Sequence, residues 1–108
     1  MKNVNDLRER LVERVETPLR LPTQPLVSVA IITYNHEPFI RNALDSVLAQ
    51  RVSFIYEVVI GEDKSTDGTR DVVLEYQRGH EDKLRLRLAR KNLYRLGLKP
   101  SIGVYRAC

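Results

Sequence analysis

Residues 26–40 read LVSVAIITYNHEPFI, and the two ends of this stretch obey different periodicities. Residues 26–33 are apolar on both alternations, with Val27, Val29 and Ile31 on one face and Ala30 and Ile32 on the other. A strand covered on both faces reads this way, as in the interior of a parallel sheet. From Pro38 the period lengthens: Phe39, Ile40, Ala43, Leu44, Val47 and Leu48 fall on one helical face, and the helix is expected to end near Gln50. Pro38 suits the first turn, where its missing N–H has no partner to lose. A strand, a polar turn and an amphipathic helix in this order point to an α/β fold.

The same pattern repeats downstream. IYEVVIG (55–61) reads as a second strand, EDKSTDGT as a turn rich in capping residues, and about 68–78 as a helix with Val72, Val73 and Tyr76 inward. LRLRLAR (84–90) alternates strictly, which sets Leu84, Leu86 and Leu88 inward and Arg85, Arg87 and Arg90 towards solvent. Charges on alternate positions suit an edge strand. The last residues, KNLYRLGLKPSIGVYRAC, read as a loop and a helix starting near Pro100 or Ser101. The order β-α-β-α-β-α predicts a three-stranded parallel sheet with flanking helices, the 26–33 strand central and the 84–90 strand at an edge.

Residues 1–25 read differently. NDLRERLVERVE (5–16) spaces Leu7, Leu11 and Val15 four apart and predicts a short amphipathic helix capped by Asn5 or Asp6. Pro18, Pro22 and Pro25 then forbid helix and predict an extended linker. The domain proper is expected over 26–108.

Totals narrow the function classes. A chain of 108 residues has room for one small domain. At 43% hydrophobic and 30% charged residues the composition is that of a globular protein. No apolar run approaches the ~20 residues of a membrane span, and the first twenty residues hold no signal-peptide core. Cys108 is the single cysteine, so no internal disulfide can form and cytoplasmic residence is expected. The net charge of +4 gathers late, at Arg85, Arg87, Arg90, Lys91, Arg95, Lys99 and Arg106. No zinc-finger spacing, aromatic RNA-binding strand or helix-turn-helix accompanies it, so no nucleic-acid partner is expected.

Ligands of open parallel sheets bind at the carboxyl ends of the strands. Two polar clusters sit there: Thr33, Tyr34, Asn35, His36 and Glu37 after the first strand, and Glu62, Asp63, Lys64 and Ser65 after the second. Glu62 or Asp63 can accept the N3–H of a uracil or the hydroxyls of a ribose, because ionised carboxylates are acceptors only. Tyr34 can stack on a base, Thr33 offers a hydroxyl, and Glu37 a second carboxylate. Each has a plainer reading. Asn35 reads as a cap for the Pro38 helix; Asp67, Gly68 and Thr69 as turn and capping residues. Glu62 and Asp63 suit a helix N-terminus electrostatically, and His36 and His80 lack metal-ligand spacing. No glycine-rich phosphate-binding fingerprint is present.

VSVAIITYNHEPFIRNALDSVLAQ followed by YEVVIGEDKSTDGTRDVVLEY resembles the amino-terminal half of family 2 glycosyltransferases, enzymes of the Rossmann-like GT-A fold. The resemblance spans about residues 26–108. It implies transfer of a sugar from a nucleotide-diphosphate donor, UDP being expected, with Mg or Mn in the complete enzyme and none bound by these residues alone. A role in cell-wall or polysaccharide biosynthesis goes with it. It also implies that Thr33, Tyr34 and Glu37 line the nucleotide pocket, that Glu62 holds the base with Asp63 beside it, and that Asn92 lies near the nucleotide. The sequence departs from the family pattern where Ile32 replaces a usual proline, Glu62 the first aspartate and Lys64 a glycine. The family's Asp-x-Asp motif and catalytic base are expected beyond Cys108, so these residues are expected to bind donor without transferring sugar. The strand at 27–33 would then keep an open, apolar edge and pair with a second copy. A non-catalytic interaction module and a basic nucleic-acid binder are the rival readings.

Overall fold

The computed structural model describes residues 10–15 and 27–98. The linker after residue 16, half of the 5–16 segment and the helix expected from Pro100 or Ser101 lie outside them. The elements are β1 (Val12–Val15), β2 (Val27–Thr33), α1 (Glu37–Leu48), β3 (Tyr56–Glu62), α2 (Thr69–Gly79), β4 (Leu84–Ala89) and a 3₁₀ turn at Tyr94–Leu96. They build one sheet of order β1-β4-β3-β2. β2, β3 and β4 run parallel, and β1 pairs antiparallel with β4. Among the described residues no helix is long and apolar enough to cross a membrane.

Registry explains the core. Ile31, Ile60, Leu86 and Val15 stand side by side across all four strands, next to the row Val29, Val58 and Leu84. Side chains alternate between faces of a strand, so both rows point to one side of the sheet. Ile40 and Leu44 of α1 and Val72 and Val73 of α2 close over them. Leu44, Val58, Ile60, Val73, Leu84 and Leu86 are fully buried. Each such side chain contributes about 1.5–3 kcal/mol of transfer free energy.

The fold class and the three parallel strands agree with the sequence; several details do not. A fourth strand, β1, forms at residues 12–15 where a helix is expected, although Leu7, Leu11 and Val15 are spaced for one. VERV supplies two β-branched residues to the open side of β4, and the Arg90 amide donates to the Leu11 carbonyl, extending the ladder. Pairing in three dimensions overrides a weak local preference.

The expected strand positions are also exchanged. Among the described residues β2 is an edge strand, whereas β4 lies inside the sheet between β3 and β1. The arginines of β4 are not a solvent face: Arg85 donates to Glu57 of β3 at 2.9 Å, and Arg87 is 8% exposed. A cross-strand carboxylate balances the first charge, and long apolar stems let both residues sit within a sheet. Phe39, expected on the apolar face of α1, is 69% exposed, and Ile40 and Leu44 alone of that face are fully inside.

Candidate functional site

Parallel pairing in register sets Thr33 beside Glu62, and Glu62 beside Leu88, so three strands end level. The two strand-end turns that follow therefore touch. The Asp63 amide donates to the Thr33 carbonyl at 3.0 Å, the last rung of the ladder. Beyond it, side chains take over from backbone.

Asn35 leaves β2 with φ 52, a left-handed conformation that asparagine tolerates well. Its amide donates to Ser65 Oγ at 2.9 Å, and its Oδ1 accepts the Thr66 amide at 2.8 Å. It bridges the turns and does not cap α1, whose N-cap is His36. That corrects its sequence reading. The His36 amide donates to Thr69 Oγ1 at 2.9 Å, the Glu37 amide to Asp67 Oδ2 at 3.3 Å, and the Gly68 amide to Glu37 Oε1 at 2.7 Å. The first amides of a helix lack internal partners. Here α1 and α2 begin side by side and each supplies acceptors for the other, while Asp67 Oδ1 also takes the Thr69 amide at 2.9 Å. Asp67, Gly68 and Thr69 are thus turn and capping residues, as their sequence suggests. The hydrogen bond from Thr69 holds the Asp67 carboxyl below the usual carboxylate range.

The six candidate residues fall into three groups around this junction. Thr33 is 1% exposed, and its hydroxyl lies 2.9 Å from His36 Nδ1. The Tyr34 amide also points at Nδ1, 3.3 Å away, and an amide can only donate, so Nδ1 is the acceptor. Tyr34 itself is half-buried and Glu37 is exposed.

Glu62 follows the apolar rows on the same face, which aims it beneath the first turn of α2. It is 1% exposed; Oε1 accepts the Ser65 amide at 2.6 Å, and Oε2 is paired with Arg70 Nε. Arg70 also donates to the Ala89 carbonyl, tying the ends of β3 and β4 together. A carboxylate removed from water requires such partners.

Asp63, 3% exposed, accepts the Leu93 amide on Oδ1 at 2.6 Å and the Tyr94 amide on Oδ2 at 3.3 Å. Asn92 donates to the Asp63 carbonyl at 2.8 Å and accepts the Arg95 amide at 2.8 Å. Burial raises the Asp63 carboxyl above its ordinary value, opposed by those two amides and assisted by the negative charge of Glu62. All six candidates therefore lie at the carboxyl ends of the sheet, with Asn92 joined to Asp63. Arg70 and His36 are partners of these candidates that the sequence did not single out. His36 is exposed as expected, but its partnership with Thr33 depends on a turn geometry that spacing does not reveal.

Lys64 adopts φ 60 at the position where the resembled pattern carries glycine. The left-handed geometry explains that glycine. Among the described residues no group of three histidine, cysteine or acidic side chains is arranged to hold a metal ion.

Comparison with known proteins bears directly on this junction. The chain is 48% identical over 50 residues to an uncharacterized protein of Mycobacterium tuberculosis, 46% of this chain and 14% of that one. It is 42% identical over 64 residues to validoxylamine A glucosyltransferase of Streptomyces hygroscopicus subsp. jinggangensis, 58% of this chain and 14% of the other. A putative teichuronic acid biosynthesis glycosyltransferase of Bacillus subtilis is 42% identical over 55 residues, 51% of this chain and 21% of that one. The matched stretch is thus about a fifth or less of each of these relatives. No solved structure gives a significant match. The sequence profile of glycosyl transferase family 2 matches residues 28–98, which take in every strand-end residue of the junction, and the chain belongs to that family.

Proposed function

We propose that this chain is the nucleotide-sugar-binding part of a glycosyltransferase, with a nucleoside diphosphate sugar, UDP-linked, as its donor. The observation that carries the reading is the convergence of Thr33, Glu62 and Asp63, each 3% exposed or less, at adjoining parallel strand ends. Buried polar groups at this end of an α/β sheet mark a ligand site more than a structural need. In the proposal Tyr34 stacks on the base and Asp63 accepts its N3–H, each carboxylate oxygen keeping a second lone pair beside the amide it already holds. Thr33 and Asn92 border the ribose, Glu37 forms the outer wall, and Glu62, buried and paired with Arg70, backs the site from beneath α2.

The reading assigns these residues donor binding and no transfer step. Glu62, Asp63 and Asp67 each accept an amide of the chain's own backbone. Among the described residues they are not grouped to hold a divalent ion. Construction of a polysaccharide or cell-wall polymer belongs to the same proposal, by likeness to the Bacillus subtilis relative's name. So does a cytoplasmic location. Burial of Arg87 and pairing of Arg85 with Glu57 count against the nucleic-acid reading, since both remove cations from any basic surface.

Titration of the 108-residue chain with UDP, ADP and GDP by calorimetry, with and without Mn²⁺, tests the proposal. UDP is expected to bind best, and Tyr34→Ala and Asp63→Asn to weaken it at least ten-fold. Absence of binding by every nucleoside diphosphate at millimolar concentration refutes the proposal and favours a non-catalytic interaction module.

A further inference from the structure

The two turns of the donor site bind each other so fully that little remains for an anion. Every backbone amide of residues 34–37 and 65–69 donates to a side chain of the same junction. Phosphate-binding loops hold their ligand with such amides left free, and here they are already occupied. The helix termini offer an anion no better place, because Glu37 stands in the first turn of α1 and Asp71 in that of α2. A nucleoside diphosphate carries its charge on its phosphates, so their recognition falls to side chains.

Residues 33–37 and 62–70 hold four carboxyl groups, at Glu37, Glu62, Asp63 and Asp67, and two cations, Lys64 and Arg70. Arg70 is committed to Glu62 and to the Ala89 carbonyl. Lys64 is exposed, and among the described residues its ammonium has no hydrogen bond or ion pair. Lys91 and Arg95 follow β4, one strand farther from Tyr34 than the turn that carries Lys64. Asn35 and Lys64 both adopt a left-handed backbone, at φ 52 and φ 60. Asn35 offsets the strain by bridging the turns through its amide and its side chain. The Lys64 side chain bonds to nothing among the described residues, and glycine would take the same turn freely. Strain that no local contact offsets collects at functional sites.

We infer that Lys64 is the residue that binds the diphosphate of the donor. The inference rests on the reading of this junction as a nucleoside diphosphate sugar site. Four carboxyl groups oppose the entry of a diphosphate, and like-charge repulsion grows wherever water is excluded. The Lys64 ammonium supplies the opposite charge at the end of β3, next to Asp63, which accepts from the base. A lysine carries its charge at the tip of a flexible stem. It can therefore meet phosphate oxygens while Glu37 and Asp67 stay locked in the junction. Tyr34 and Asp63 recognise the base, and Lys64 tells a nucleotide from a nucleoside.

Calorimetric titration of the 108-residue chain with uridine and with UDP tests the inference. The wild type is expected to bind UDP more tightly than uridine. Lys64→Met keeps the stem and removes the charge, and is expected to weaken UDP about ten-fold and uridine by less than about two-fold. Lys64→Arg keeps the charge and is expected to hold UDP within about three-fold. Lys64→Gly separates binding from folding: it is expected to lose UDP as Lys64→Met does, while its urea midpoint does not fall. Arg51→Met removes the same charge from an exposed position before β3, at the other end of the sheet, and is expected to leave UDP binding within about two-fold. An equal loss in Arg51→Met and Lys64→Met means that net charge alone attracts UDP, and overturns the inference. Equal losses of uridine and UDP in Lys64→Met put the lysine on the base and overturn it too, as does UDP affinity unchanged in that variant. Absence of binding by both ligands in the wild type refutes the donor reading itself, and the inference falls with it.

Discussion

Gly68 tests the junction between the two strand-end turns more sharply than any candidate ligand residue. A Cβ at this position would lie 2.6 Å from Glu37 Oε2 and 2.8 Å from Oε1, closer than nonbonded atoms approach. The backbone at Gly68, φ −80 and ψ 6, suits alanine, so the substitution strains no dihedral. Its cost must come from Glu37, an exposed side chain free to swing into solvent. The Gly68 amide then loses its carboxylate acceptor at 2.7 Å. A hydrogen bond to a charged group contributes about 1.5–3 kcal/mol. Exposure moves the expected loss for Gly68→Ala to the lower end of that range or just below it, about 1–2 kcal/mol. Two smaller effects nearly cancel: alanine is a poorer N-cap than glycine but restricts the unfolded chain. With about 4–8 °C per kcal/mol for a domain of this size, the melting midpoint should fall by roughly 4–16 °C. In a Glu37→Ala background the obstacle is gone, and Gly68→Ala should change stability by less than about 0.5 kcal/mol. Urea unfolding of the wild type, both single variants and the double variant closes the cycle. Equal costs of Gly68→Ala in both backgrounds would refute the reasoning.

Three further outcomes follow from single contacts. Lys64→Gly relieves a left-handed residue costing about 1–2 kcal/mol and adds about 0.5–1 kcal/mol of unfolded-chain entropy, so a small rise in urea midpoint is expected; a fall contradicts the strain at φ 60. Arg70→Met leaves Glu62, 1% exposed, without its cation and should destabilise by about 3 kcal/mol, most of it recovered by adding Glu62→Gln; failure of the second change to rescue means the pair is not the cause. Asp63, raised in the folded state chiefly by burial, binds its proton more tightly folded than unfolded. Its stabilising contribution is therefore full below the ordinary aspartate value and is lost as pH rises through the raised value. The stability of wild type relative to Asp63→Asn should decline across that window and then level off, and a difference that grows with pH contradicts the assignment.

Sequence periodicity reported the elements whose packing is repetitive. β2, β3, β4, α1 and α2 each place several apolar residues at one spacing, and each lies within a residue or two of its expected bounds. β1 has four residues, and its two valines are compatible with the helical spacing of Leu7, Leu11 and Val15. Nothing local distinguishes the two; the open side of β4 does. The exchange of edge and interior strands has a similar origin. Alternating leucine and arginine describes an edge strand, and equally a buried strand whose arginine meets a carboxylate across the sheet. Glu57, that carboxylate for Arg85, is 28 residues away. The strand-end location of the candidate site was legible because topology alone dictates it. The partners of its residues were not, since Asn35 meets Thr66 only after the β2–α1–β3 crossover has closed, and Glu62 meets Arg70 only once the turn after β3 brings the start of α2 back over the strand end.

Glu37 can act at this junction in two ways. Its carboxylate can touch a ligand directly, or it can act only by holding the two turns together through Gly68. Glu37→Gln separates the two. A glutamine carbonyl still accepts the Gly68 amide, so the junction survives while the charge disappears. Gly68→Ala does the reverse, keeping the charge and displacing it from the junction. If Glu37 is a positioning residue, UDP affinity should hold within about two-fold in Glu37→Gln and fall several-fold in Gly68→Ala. If the carboxylate contacts the ligand, Glu37→Gln should show the larger loss, because no neutral group restores a charge-assisted hydrogen bond. Calorimetric titration of both variants, each checked as folded by its urea midpoint, distinguishes the cases. The first outcome is expected, since the Glu37 amide and carboxylate are both committed to α2 at 3.3 and 2.7 Å.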